Sequence, residues 1–135
     1  MGADAFVQTG EAESERISQA LGGAPDYVFE CIGVTGALAQ AVQLVVPNGT
    51  IVSLGFCMAP DPVVPGIATF KQVKLIFSMA YNLAEFQHVA DMLDRGAVEA
   101  RHMISDIIPL DALPAMIETM RGSHGQTKVQ VDPWN

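Results

Sequence analysis

Three histidines, two cysteines and a scatter of carboxylates are the side chains here that can hold a metal, attack a carbonyl or move a proton. His88, His102 and His124 are spaced unlike any zinc-ligand signature, and no cysteine stands near enough to complete one. His88 sits in a helix-period run beside Val89, His102 follows Arg101, and His124 lies in the run Gly122-Ser123-His124-Gly125, so all three are expected to be solvated. No serine occupies a GxSxG elbow. Asp26 and Glu30 flank one apolar run, the first at a turn and the second toward its far end, which is poor geometry for a general acid and base. Cys31 and Cys57 form no CxxC pair and fall at or just past strand ends, where free buried thiols are expected. Met116 and Met120 fall on one helix face and are expected in the core. A dinucleotide cradle requires GxGxxG between a strand and a helix, and no GxGxxG occurs in this sequence.

The elements that must position these residues alternate. Residues 27–32 (YVFECI) form an aromatic and β-branched strand ending at Gly33, residues 50–54 (TIVSL) a second ending at Gly55, and residues 74–79 (KLIFSM) a third. Ala5 to Gln8 is a shorter strand candidate. Glu11, Glu13 and Glu15 before Gly22-Gly23 mark a helix with an acidic first turn and a glycine stop. Residues 36–46 form a small-residue helix ended by Pro47-Asn48-Gly49. Pro60, Pro62 and Pro65 break the chain into a loop, and Asn82 with Glu85 resembles a capping box opening a helix that runs to Gly96. Beyond it come an extended run over 103–110, a helix capped by Asp111, and a closing strand over 128–131.

This rhythm predicts an α/β fold, a parallel sheet with helices on its faces. Its near-continuous apolar strands predict burial on both faces. Ligands of such sheets sit beyond the carboxyl ends of the strands, where Gly33 and Gly55 stand. A missing Cβ there admits either a tight turn, the commoner use, or a flat ligand against the backbone.

With 135 residues, one domain with a core is expected, with a folded surface of roughly 6,800 Å². A net charge of −8 without a basic cluster argues against nucleic acid. No apolar run is long enough for a membrane span, and the first residues lack a leader pattern, so a cytoplasmic protein is expected.

Taken together, residues 1–4 (MGAD), 26–33 (DYVFECIG), 48–52 (NGTIV) leading to Gly55, Phe77-Ser78 with Glu85-Phe86, and 128–133 (KVQVDP) resemble the medium-chain, zinc-dependent alcohol dehydrogenase superfamily. The polyol, secondary-alcohol and threonine dehydrogenase branches are nearest. The resemblance covers only that family's C-terminal part. It implies that residues 1–97 are the later strands of a Rossmann-type coenzyme domain, an incomplete sheet lacking its first two strands. It further implies that residues 98–135 return to a GroES-like catalytic domain, and that Met1 is internal to a longer protein. By resemblance, Cys31, Ile32 and Gly33 line the cleft for NAD or NADP, Leu54, Gly55 and Phe56 pass the nicotinamide and its ribose, and Phe77 and Ser78 continue that wall. Lys128 falls where members place a cation near the pyrophosphate.

The resemblance also implies an alcohol or ketone substrate, zinc held by upstream ligands and not by this chain, and a homodimer through Ile76 to Ala80. The isolated chain is expected to be inactive. A non-catalytic dimerising α/β module and a zinc-free quinone-reductase-like oxidoreductase are the alternatives. Because the family's sheet places two further strands between them, Ala5 to Gln8 is expected either to pair directly with residues 27–32 or to be displaced.

Overall fold

Short β-branched and aromatic runs bounded by glycine, asparagine and proline become strands, and the alanine-rich run between the first two becomes a helix. The computed structural model describes residues 2–97 and 99–134. They form two units, one of residues 3–80 and one of the residues from 81 onward with Gly2.

In the first unit α1 spans Glu13–Leu21, β1 Tyr27–Glu30, α2 Ala37–Leu44, β2 Thr50–Ser53, α3 Pro65–Lys71 and β3 Lys74–Phe77. The strands form one parallel sheet in the order β1-β2-β3. Helix α1 carries Glu13 and Glu15 in its first turn and stops at Gly22, whose left-handed φ of 74° lets Gly22 and Gly23 donate to the Gln19 and Ser18 carbonyls. The core lies where Ala41 and Val42 of α2, with Val45 just past its end, meet Ile51 of β2, flanked by Val28, Val63, Ile67, Ala68 and Val73.

That core covers one face of the sheet only. Successive strand residues point to opposite faces, so Val28 and Ile51, register partners, face the helices while Tyr27 and Phe29 face away and are exposed. Strand β3 is exposed along its whole length. The expected burial on both faces therefore holds for no strand: even in the central β2 only Ile51 and Ser53, on one face, are buried, while Thr50 and Val52 on the other are half-buried, because α2 and α3 pack on the same side. With apolar surface left uncovered, the accessible area is 10358 Å² instead of the roughly 6,800 Å² of a fully packed chain this size.

Both ends of α2 are tied by side chains from distant segments. The Asp61 carboxylate accepts from the backbone N–H of Gly36 (2.6 Å) and Leu38 (3.1 Å), taking the orphan donors of the first turn. At the other end the Lys71 ammonium donates to the carbonyls of Val42 (2.8 Å), Gln43 (2.7 Å) and Val45 (2.7 Å). Replacing it by Lys71→Met keeps the stem and removes all three bonds, and is expected to cost about 2–3 kcal/mol. A urea titration followed by circular dichroism measures this; an unchanged midpoint would show that the three bonds add nothing beyond solvation.

Two further expectations fail in this unit. Ala5 to Gln8 forms no strand and pairs with nothing in the sheet; Phe6 is 87% exposed. The displaced alternative holds, since β1 has no neighbour on its outer edge to extend the sheet toward it. The proline loop, in turn, contains α3, with Pro65 at a helix start where a missing N–H costs nothing.

In the second unit α4 spans Leu83–Asp94, β4 Asp106–Pro109, α5 Leu113–Met120 and β5 Val129–Asp132, with β4 and β5 paired in parallel. The Asn82 side chain accepts from Glu85 N–H (3.0 Å) and the Glu85 carboxylate from Asn82 N–H (2.7 Å), the expected capping box. Asp111 does not cap α5. It lies in a 3-10 turn over Leu110–Ala112, and α5 starts after Ala112 with no side-chain cap. Nor are Met116 and Met120 core residues: no residue of α5 is fully buried, and Met120 is exposed.

Candidate functional site

The carboxyl ends of β1, β2 and β3 open onto a cavity of about 340 Å³. Gly55, Phe56, Phe77 and Ser78, four of the residues singled out in the sequence, line it together with Glu30, Ser53, Cys57, Asp61 and Met79. Cys31 and Ile32 line a second cavity of about 150 Å³ against α2. Gly33 and Leu54 line neither. Lys128 belongs to the second unit, where its backbone carbonyl accepts from Ser105 N–H at 2.9 Å and its side chain is exposed.

The two glycines are needed for each other. A Cβ on Gly33, which has φ +72°, would lie 2.5 Å from Phe56 N, and one on Gly55 would collide with Gly33 N and stand 2.6 Å from both Glu30 carboxylate oxygens. The missing side chains let the turn after β1 pack on the turn after β2, as the turn reading expects.

Glu30 organises this junction. Only 6% exposed, it is the register partner of Ser53 at the strand ends. Its Oε1 accepts from Ile32 N–H and Gly33 N–H, both at 2.7 Å, and its Oε2 from Ser53 Oγ at 3.2 Å. Its backbone carbonyl accepts from Leu54 N–H (2.8 Å) and Gly55 N–H (2.9 Å). The Gly33 N–H bond leads in holding the carboxyl below the usual glutamate range. Burial opposes it, the Ile32 and Ser53 donors reinforce it, and the Asp61 charge opposes it. Sequence reasoning weighed Glu30 only as an acid or base. The available signal was an acid closing an apolar strand beside a serine closing the next, since a buried carboxylate requires donors.

The thiols also differ from expectation. Cys31 and Cys57 are free, but Cys31 is exposed and Cys57 half-buried, because both follow strands whose ends are open. His88, His102 and His124 are exposed. Among the described residues no group of three or more histidines, cysteines or acids is placed to hold a metal ion, so zinc does not fit this chain's own side chains. No helix among them is long and apolar enough to cross a membrane.

A parallel sheet with helices on it and a cavity beyond its carboxyl ends is the arrangement of a Rossmann-type α/β fold. The chain belongs to the zinc-binding dehydrogenase family, which it matches over residues 1–95. It is 27% identical, over 98% of its own length and 40% of the relative's, to a Rhizobium meliloti (strain 1021) protein assigned as a D-xylulose reductase. A Sinorhizobium meliloti 1021 protein described as a zinc-binding dehydrogenase, solved with NADP bound, superimposes with a TM-score of 0.74 and 31% identity over 82% of this chain and 32% of the other. The 2R,3R-butanediol dehydrogenase of Bacillus subtilis superimposes with a TM-score of 0.78 at 24% identity, over 93% and 36% of the two chains. The sequence thus spans well under half the length of these relatives.

Proposed function

We propose that this chain is the C-terminal, coenzyme-binding part of an NAD- or NADP-dependent alcohol or polyol dehydrogenase, with the nicotinamide end of the coenzyme against the ends of β1 to β3. The observation that carries this reading is the 340 Å³ cavity at those ends, bounded by Gly55, Phe56, Phe77 and Ser78, in a family whose Sinorhizobium meliloti member was solved with NADP. A bound nicotinamide supplies hydride transfer. For this chain's part, Phe56, Phe77 and Met79 give an exposed apolar wall for the nicotinamide to cover, and Ser78 offers a hydroxyl to a polar edge. The zinc and the substrate pocket belong, in this reading, to other parts of the protein, and the setting is cytoplasmic.

The test is an NMR titration of the ¹⁵N-labelled chain with nicotinamide mononucleotide, which carries the nicotinamide, the ribose and one phosphate. Saturable shifts at residues 55–57 and 77–79 are expected. Shifts elsewhere only, or none, would overturn the reading. The purified 135-residue chain is expected to show no turnover of a secondary alcohol with NAD or NADP, since in this reading the zinc ligands and the substrate pocket lie in other parts of the protein. Measurable turnover would sink the division of labour.

The exposed edge strand β3 favours a second reading beside the first, association of two copies through Ile76 to Ala80. Sedimentation velocity over a range of concentrations decides it: a fixed monomer value removes the dimer.

A further inference from the structure

We propose that Glu30 is a positioning residue: an ionised latch that holds the turn after β1 against the turn after β2 and so sets the wall on which the nicotinamide rests. The latch rests on the coenzyme reading above for its purpose and on geometry for its existence. Both carboxylate oxygens are occupied as acceptors, Oε1 by Ile32 N–H and Gly33 N–H and Oε2 by Ser53 Oγ. A carboxylate so engaged has no proton to give, and this separates it from an acid or base of the reaction. The same residue's carbonyl binds Leu54 N–H and Gly55 N–H. One residue therefore holds the first turn and the last residue of β2 by its side chain, and the second turn by its backbone. The two turns in turn leave no room for a Cβ between them.

The latch works by charge without a counter-charge. The titratable groups sharing the two cavities that Glu30 lines are Asp61 and Cys57 in the first and Glu13 and Cys31 in the second, with no lysine, arginine or histidine among the lining residues. Backbone dipoles and one hydroxyl stabilise the carboxylate, so salt leaves the latch closed and acid opens it. Because the folded carboxyl titrates below its ordinary value, the latch is complete above the usual glutamate range. It is lost as pH falls through the lowered folded value.

The experiment compares the full chain with Glu30→Gln, which keeps the shape and one carbonyl acceptor but removes the charge. Amide hydrogen exchange at pH 7 reads the latch, and nicotinamide mononucleotide titration reads its purpose. In Glu30→Gln the Ile32 and Gly33 amides are expected to exchange about tenfold faster, and the affinity for the mononucleotide to fall by about the same factor, as for a lost charge-assisted bond. The Ile51 and Val52 amides are expected to exchange as before, which a general loosening of the fold would not allow. In the unsubstituted chain the Gly33 amide shift is expected to follow a single titration below the ordinary glutamate value, absent from Glu30→Gln. Unchanged exchange at Ile32 and Gly33, or unchanged affinity in Glu30→Gln, overturns the proposal. If exchange changes as expected while neither protein binds the mononucleotide, the tie between the turns stands and the coenzyme reading falls.

Discussion

Gly55→Ala is expected to destabilise residues 3–80 by about 3 kcal/mol or more, by overpacking a junction that cannot yield and by breaking into buried hydrogen bonds. The added methyl would meet Gly33 N and stand 2.6 Å from both Glu30 oxygens, groups already fixed by their bonds to one another. Relief would require separating the two turns, which frees the Ile32 and Gly33 amides and leaves a buried carboxylate with fewer donors. Gly66 provides the contrast. It lies in α3 with an ordinary φ and nothing within 4 Å of a built Cβ, so Gly66→Ala is expected to be neutral or stabilising by about half a kcal/mol. Urea midpoints for the pair measure the difference. Equal midpoints would mean that the turn-to-turn contact is not what holds the strand ends together.

Ile51→Ala is the other large loss. Ile51 is fully buried at the centre of a core whose other buried members are Ala41, Val42 and Val45, with nothing spare to refill the space. Truncation is expected to cost about 3–4 kcal/mol, a large share of what a unit of this size possesses. Ile76, in register with Val52 on β2 and 50% exposed, has no such surroundings, and Ile76→Ala is expected to cost under about 1 kcal/mol. Denaturant midpoints again decide it. Comparable losses at the two isoleucines would place the core on the wrong face of the sheet.

The strands of the first unit were legible because Val28, Phe29, Ile51, Val52, Leu75 and Ile76 stand in short apolar runs closed by turn residues, a local signal that the tertiary structure does not overrule. The Asn82–Glu85 box was legible for the same reason. Burial was not legible, since an apolar strand reads alike whether or not a second layer covers it; Tyr27 and Phe29 lie bare where the run YVF predicted cover. Three prolines hid α3, although Pro65 alone occupies a position that a helix accepts. Asp111 resembled a cap, but the 3-10 turn over Leu110–Ala112 takes its place and moves the helix start past it. At the site, the glycines were visible and their partner was not. That Gly33 and Gly55 touch depends on strand register, and the role of Glu30 follows only once Ser53 is known to stand beside it.

The order β1-β2-β3 also bears on how the chain reaches this arrangement. Tyr27 pairs with Thr50 and Thr50 with Lys74, separations of 23 and 24 residues, so each pairing closes a loop of nearly the same size and entropy. No strand of this sheet waits for one made after its successor. On a ribosome β1 and β2 can join before β3 has emerged, and Lys71, arriving just ahead of β3, secures α2 over a pair already formed. The first unit is therefore suited to assembly in the direction of synthesis, each new element adding to a finished edge.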